Sequence, residues 1–171
     1  AFNISRTIAD LVRSGAAAAG TKVGNPRHLA VGGPDVLALD AKHVLWRWRP
    51  ADAKGKGTLA RVRVAESSTW GADVLGIGTF VRNPEDGLYN LYVIDPSEQQ
   101  ILRYSPAQDG SGYPGAASGY LTTPQDVSKV TSTYIDGEVY LVDAGVVERF
   151  GSGRGSDWAP QAPPDSLLRP P

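Results

Sequence analysis

One short pattern is written three times in this chain, and it limits the fold more than any other feature. It reads VLALDAKHVLWRWRP over Val36–Pro50, LYVIDPSEQQILRYSP over Leu91–Pro106 and VYLVDAGVVERF over Val139–Phe150. Each copy is an apolar run that closes on an aspartate, Asp40, Asp95 or Asp143. A few turn-like residues follow, then a second run ending in arginine plus an aromatic: Arg47-Trp48, Arg103-Tyr104 and Arg149-Phe150. The aspartates stand 55 and 48 residues apart. From aspartate to aromatic the offsets are 8, 9 and 7, so the length varies in the turn, where a repeated unit tolerates variation.

Leu91-Tyr92-Val93-Ile94 is β-branched and aromatic, too short for a helix, and bounded by Asn90 and by Asp95-Pro96-Ser97. That is the signature of a buried strand stopped by turn chemistry. An aspartate at the strand end can accept backbone N–H groups two residues on and so fix the reversal. Ile101-Leu102-Arg103-Tyr104 then returns as the second arm of an antiparallel hairpin. A third strand is expected upstream of each hairpin, at Leu29–Val31, at Val74–Val81 and at Val127–Tyr134. The loops that join the last two to their hairpins carry Asp86-Gly87 and Asp136-Gly137, both strong turn signals. A fourth, outer strand is expected only in the first unit, where TLARVRVA alternates over Thr58–Ala65; in the others that position reads as loop. Strand–turn–strand units repeating at roughly 40–50 residues are read as β-propeller blades.

The opening Asn25-Pro26-Arg27-His28-Leu29-Ala30-Val31, with the three hairpins ending in aspartate and arginine–aromatic, resembles NHL-type propeller repeats. A more distant likeness is to the six-bladed YWTD and regucalcin-like lactonase superfamily. The resemblance covers residues 25–158 and departs from the pattern in the second unit, where Glu66–Gly71 replaces the opening proline. It implies an all-β fold, a β-propeller fragment of about three blades. It also implies an interaction platform of the kind found as extracellular sensor propellers of bacterial signalling proteins.

Three domains of sequence are expected: an N-terminal helix and linker over 1–23, blades over 24–158, and over 159–171 the start of a further blade or a C-terminal tail. Ile4, Ile8, Leu11 and Val12 fall on one face of the helix. The tail Asp165–Pro171 is similar to Thr123–Val127, so the chain is expected to be a piece of a larger protein. Three blades do not close a ring. Either further blades close it, or a second copy forms a homodimer with a six-bladed ring.

A formal charge of −1 gives no footprint for nucleic acid, and no apolar stretch approaches the ~18 residues of a membrane span. The two histidines, His28 and His43, have neither metal-ligand spacing nor a nucleophile partner in sequence, and no G-x-S-x-G elbow exists. Asp40, Asp95 and Asp143 recur at one point of each unit, as structural turn caps would; metal ligands would break the repeat. The arginine–aromatic pairs are expected to pack between blades. Trp46-Arg47-Trp48-Arg49 should put tryptophans and arginines on opposite faces, and pairing with Arg61-Val62-Arg63 could gather the arginines on one side. No catalytic, cofactor or metal residue is expected. Recognition is expected from the long Gly/Ser/Pro-rich connectors that carry Tyr113, Tyr120 and Trp158. The expected function is therefore a non-catalytic binding or sensing module, outside the cytoplasm of a bacterium, with a protein or small-ligand partner. The rival expectation, implied by the regucalcin-like resemblance alone, is a metal-dependent lactonase or esterase-like hydrolase.

Overall fold

The expected hairpins form, and each belongs to its own sheet. The computed structural model describes residues 24–50, 57–150 and 160–161. The expected N-terminal helix and linker (residues 1–23), Trp158 and most of the tail lie outside those residues. Sheet 1 is β1 (Pro26–Gly32), β2 (Asp35–Asp40), β3 (Leu45–Arg49) and β4 (Thr58–Val64), an antiparallel meander in chain order. Sheet 2 begins with β5 (Gly76–Asn83), β6 (Leu88–Asp95) and β7 (Gln100–Tyr104). From the connector that follows, β8 (Gly112–Tyr113) returns to run parallel to β4, and β9 (Ser118–Gly119) then completes sheet 2. Sheet 3 is β10 (Val130–Ile135), β11 (Val139–Asp143), β12 (Val146–Phe150) and β13 (Pro160–Gln161). The protein is all-β, and among the described residues no helix is long and apolar enough to cross a membrane.

The outer positions of sheets 2 and 3 correct the expectation of loops: each carries a two-residue strand. In sheet 2 a side chain extends what the short ladder cannot. Gln100 Nε2 donates to the Leu121 carbonyl at 3.0 Å, and its Oε1 accepts from Leu121 N at 2.7 Å and Ile101 N at 3.1 Å. One glutamine thus adds three side-chain bonds to the two-residue ladder at the end of a connector whose Tyr113, Tyr120 and Leu121 are buried.

Register explains how the sheets stack. Cross-strand partners share a face. Val36 pairs with Trp48, Leu91 with Tyr104 and Val139 with Phe150, so the repeat places these pairs on equivalent faces. Leu91 and Tyr104 pack against Leu37, Leu39 and Leu45 of sheet 1. Val139 and Phe150 pack against Tyr92, Ile94 and Ile101 of sheet 2. Tyr104 and Phe150 are therefore buried between sheets, as expected of the arginine–aromatic pairs. Trp48 is not: by the same phase it lies on the outer face of sheet 1, half-buried beside Trp46, Val36 and Leu59.

The first strands of the three sheets are neighbours, β1 beside β5 and β5 beside β10. Thr79 Oγ1 donates to the Val31 carbonyl across the first contact. At the second, a Cβ on Gly78 would stand 2.7 Å from Ile135 Cδ1, so a larger residue there would have to push the end of that side chain aside.

The repeated aspartates divide. Asp40 Oδ1 accepts from Lys42 N at 2.8 Å and Val44 N at 3.0 Å, and its Oδ2 accepts from Trp46 Nε1 at 3.0 Å. Burial pushes the Asp40 carboxyl up, but these donors outweigh it and hold the group below its ordinary value. Asp95 accepts from Ser97 N and Oγ at 3.0 and 2.7 Å and from Gly71 N at 2.9 Å. Asp143 departs from the expected role. Its hairpin turns on two residues, Ala144 (φ 47) and Gly145 (φ 81), a primed turn that needs no carboxylate cap. Asp143 Oδ1 is buried with no hydrogen-bond partner. Burial first, and then the charge of Asp143, raises the Glu148 carboxyl.

Candidate binding cleft between sheets 1 and 2

Alternation along β2 and β3 puts Asp35, Leu37 and Leu39, and likewise Leu45, Arg47 and Arg49, on the face toward sheet 2. The tryptophans and arginines of β3 do separate. The four arginines, however, do not gather on one side: Trp46 pairs with Arg61, so Arg61 and Arg63 share the tryptophan face while Arg47 and Arg49 point the other way. The reason is register, since β3 and β4 pair out of phase for arginine.

Arg47 and Arg49 border a cleft of about 450 Å³ at one end of the interface between the sheets. Its other walls come from the β5–β6 loop at Asp86–Tyr89 and from the β7–β9 connector at Asp109–Tyr113. Three separate segments thus build it. Asp35 is fully buried at its floor. Arg49 grips it with two parallel bonds, Nε to Oδ1 at 2.6 Å and Nη2 to Oδ2 at 2.8 Å. The Tyr89 hydroxyl donates to Oδ2 at 2.9 Å. The bond to Asp35 and the charge of Asp35 raise the Arg49 pKa, and burial, then the Asp35 bond, raise that of Tyr89. Both oxygens of the carboxylate are thereby engaged by a guanidinium fork and a phenol, an arrangement that fixes the three side chains against one another.

Arg47 behaves differently. Its Nη1 donates to the Gly110 carbonyl at 2.6 Å, tying the connector to sheet 1. Below that tie, β8 pairs with β4 and the Tyr113 hydroxyl donates to the Tyr89 carbonyl at 3.3 Å. At the rim, Asp86 Oδ1 accepts from Leu88 N and Oδ2 from Arg82, while Asp109 accepts from Ser111 N.

Of the expected recognition residues, Tyr113 does line this cleft, but as buried wall. Tyr120 is buried in the other interface, edge-on to Tyr92 at 5.4 Å, and so supplies packing. Trp158 lies outside the described residues. The sequence reading missed Asp35, Arg49 and Tyr89. Parity was the available signal, because Asp35 shares the inward phase of Leu37 and Leu39, opposite the inward Arg49. The remaining repeat arginines bind locally. Arg103 Nε donates to Ser118 Oγ at 3.3 Å, and Arg149 pairs with Glu138 at 3.5 Å.

The structure also brings together the two histidines, which sequence left apart. His28 and His43 line a second cleft of about 420 Å³ with Arg27, Asp40 and Asp73. Burial lowers the His28 pKa despite a bond to the Val74 backbone, and the charges of Arg27 and His43 lower it further. His43 stacks obliquely near Trp70, 6.0 Å between ring centroids. Among the described residues no group of three or more histidine or acidic side chains is close enough to hold a metal, and Asp40 and Asp95 are occupied by their turns. Neither a protein-family model nor a curated protein sequence matches the chain.

Proposed function

We propose that this chain is a β-propeller binding module of NHL-like type, and that its ligand enters the cleft between sheets 1 and 2. The carrying observation is that three distant segments build the cleft, with the β7–β9 connector fastened to sheet 1 by Arg47 and by the β4–β8 pairing. Recognition on such a site needs a rigid frame with variable walls, and that is what strand ends and connectors provide. The three meanders with adjoining first strands support the propeller reading. The Asp35–Arg49–Tyr89 cluster supports binding over catalysis, because its carboxylate is committed to structure. The wider proposal, carried by the sequence resemblance, is a sensor module of a larger bacterial protein, working outside the cytoplasm on a protein or small-ligand partner.

Fragment screening by heteronuclear NMR on the full chain tests the reading. Saturable shifts centred on Tyr89, Gly110 and Tyr113 are expected. Ester or lactone turnover abolished by EDTA, with no fragment in the cleft, would replace it with the hydrolase alternative.

A further inference from the structure

We propose that the cleft takes a small apolar monocarboxylate, with the carboxylate seated on Arg47; this deepens the binding reading above and rests on it. Two guanidiniums border one cleft, and they are in opposite states. Arg49 is neutralised by the fully buried Asp35 through two short bonds. Arg47 is half-buried, bonds a neutral carbonyl, and among the described residues forms no ion pair with a carboxylate. A guanidinium carries five N–H donors in a fixed plane; the Gly110 carbonyl takes one nitrogen's share and the Tyr89 hydroxyl oxygen accepts from Arg47 as well, which leaves the remaining donors for a ligand. Those bonds also hold the plane still, so a ligand carboxylate meets donors whose orientation is already set.

Asp35 cannot serve as the missing counter-charge. Both its oxygens are engaged, and Tyr89, which approaches Arg47, spends its proton on Asp35. The rest of the lining sets the ligand's body and charge. Leu37, Val62, Leu88, Pro106 and Tyr113 supply apolar wall, and about 450 Å³ suits a ligand of one ring or a short aliphatic chain. Asp86 and Asp109 stand at the rim. Both carboxyls are held below their ordinary value, Asp86 chiefly by Leu88 N and Asp109 by the Ser111 hydroxyl and then Ser111 N. Two rim carboxylates repel a second negative charge, so a monocarboxylate is favoured over a phosphate dianion of the same size.

NMR titration of the full chain with phenylacetate, phenylacetamide and phenyl phosphate tests this directly. Phenylacetate is expected to shift the Tyr89, Gly110 and Tyr113 amides saturably, with phenylacetamide and phenyl phosphate each at least tenfold weaker. Asp86→Asn with Asp109→Asn should narrow the gap for phenyl phosphate. Arg47→Gln should lose phenylacetate at least tenfold and Arg47→Lys should fall between, while Arg61→Gln, on the opposite face, should bind as the parent chain does. Equal binding of phenylacetate and phenylacetamide to the parent chain overturns the proposal, and needs no variant to fold. Fragments that occupy the cleft without regard to charge sink the carboxylate inference alone. A broad library that moves no cleft resonance sinks the binding reading with it.

Discussion

The Trp70 indole donates a 2.7 Å hydrogen bond to the Tyr104 hydroxyl, and the two rings meet edge-on with centroids 5.9 Å apart. Both side chains are buried between sheets 1 and 2. Trp70 follows the 3-10 turn Ser67–Thr69, in the segment where the repeat lacks its opening proline. Tyr104→Phe leaves the indole N–H buried without an acceptor and should cost about 1–3 kcal/mol. Trp70→Phe in the same background removes the orphaned donor. Urea denaturation of the four species in the cycle should give a coupling of about 1 kcal/mol or more; strict additivity would show that the bond contributes nothing.

The three repeat aspartates should separate in the same assay. Asp40→Ala and Asp95→Ala each strip a turn of several acceptor contacts and should cost about 1–3 kcal/mol. Asp143→Asn replaces a half-buried carboxylate whose Oδ1 has no partner beside Glu148, and should leave stability unchanged or raise it. It should also let Glu148 titrate lower, which carboxyl-carbon NMR would read directly.

Stability should sag on mild acidification because of His28. Its pKa is lowered in the folded chain from 6.5, mainly by burial. Between the lowered folded value and 6.5 the unfolded chain binds more protons, so stability falls as pH drops through that window and then levels off. Asp40 adds a second loss further down: its folded pKa is lowered from 3.8, so its contribution holds above that value and disappears as pH falls through the folded one. Chemical denaturation from pH 7.5 to 5 on the parent and on His28→Asn should show the first loss in the parent alone.

How much of this was legible in the chain depends on the distance between the residues involved. The hairpins, the third strands and β4 follow from local alternation and turn residues, and so does the separation of tryptophans from arginines on β3. The cleft follows from contacts that no local window contains. Arg47 reaches Gly110 and Tyr89 reaches Asp35 across stretches that hold whole strands. Tyr113 and Tyr120 sit in a Gly/Ser-rich connector that reads as surface, yet each is drawn into a sheet interface by a partner remote in sequence. Asp143 misled for the opposite reason. Its local pattern repeats while its turn shortens by enough residues to remove the cap's donors.

The phase of the repeat makes its own forecast. Phe150→Ala and Tyr104→Ala empty sites between sheets and should cost about 3–5 kcal/mol each. Trp48→Ala, at the equivalent position on the outer face of sheet 1, should cost less. Light scattering should read the mass of one chain, 18.1 kDa. Twice that mass, with Trp48→Ala as costly as Phe150→Ala, would be the mark of a two-copy ring.

The parallel pairing of β8 with β4 has a consequence for the order in which the molecule is made. As the chain leaves the ribosome, β4 emerges with its outer edge bare, and the residues that cover it, Gly112 and Tyr113, follow only after β5, β6 and β7. During that interval a nascent sheet 1 is open to capture by any other extended strand. Arg61 and Arg63, exposed on β4, are the charges that discourage such capture while the edge waits. Sheet 1 is thus begun first but finished by a stretch of chain that leaves from sheet 2.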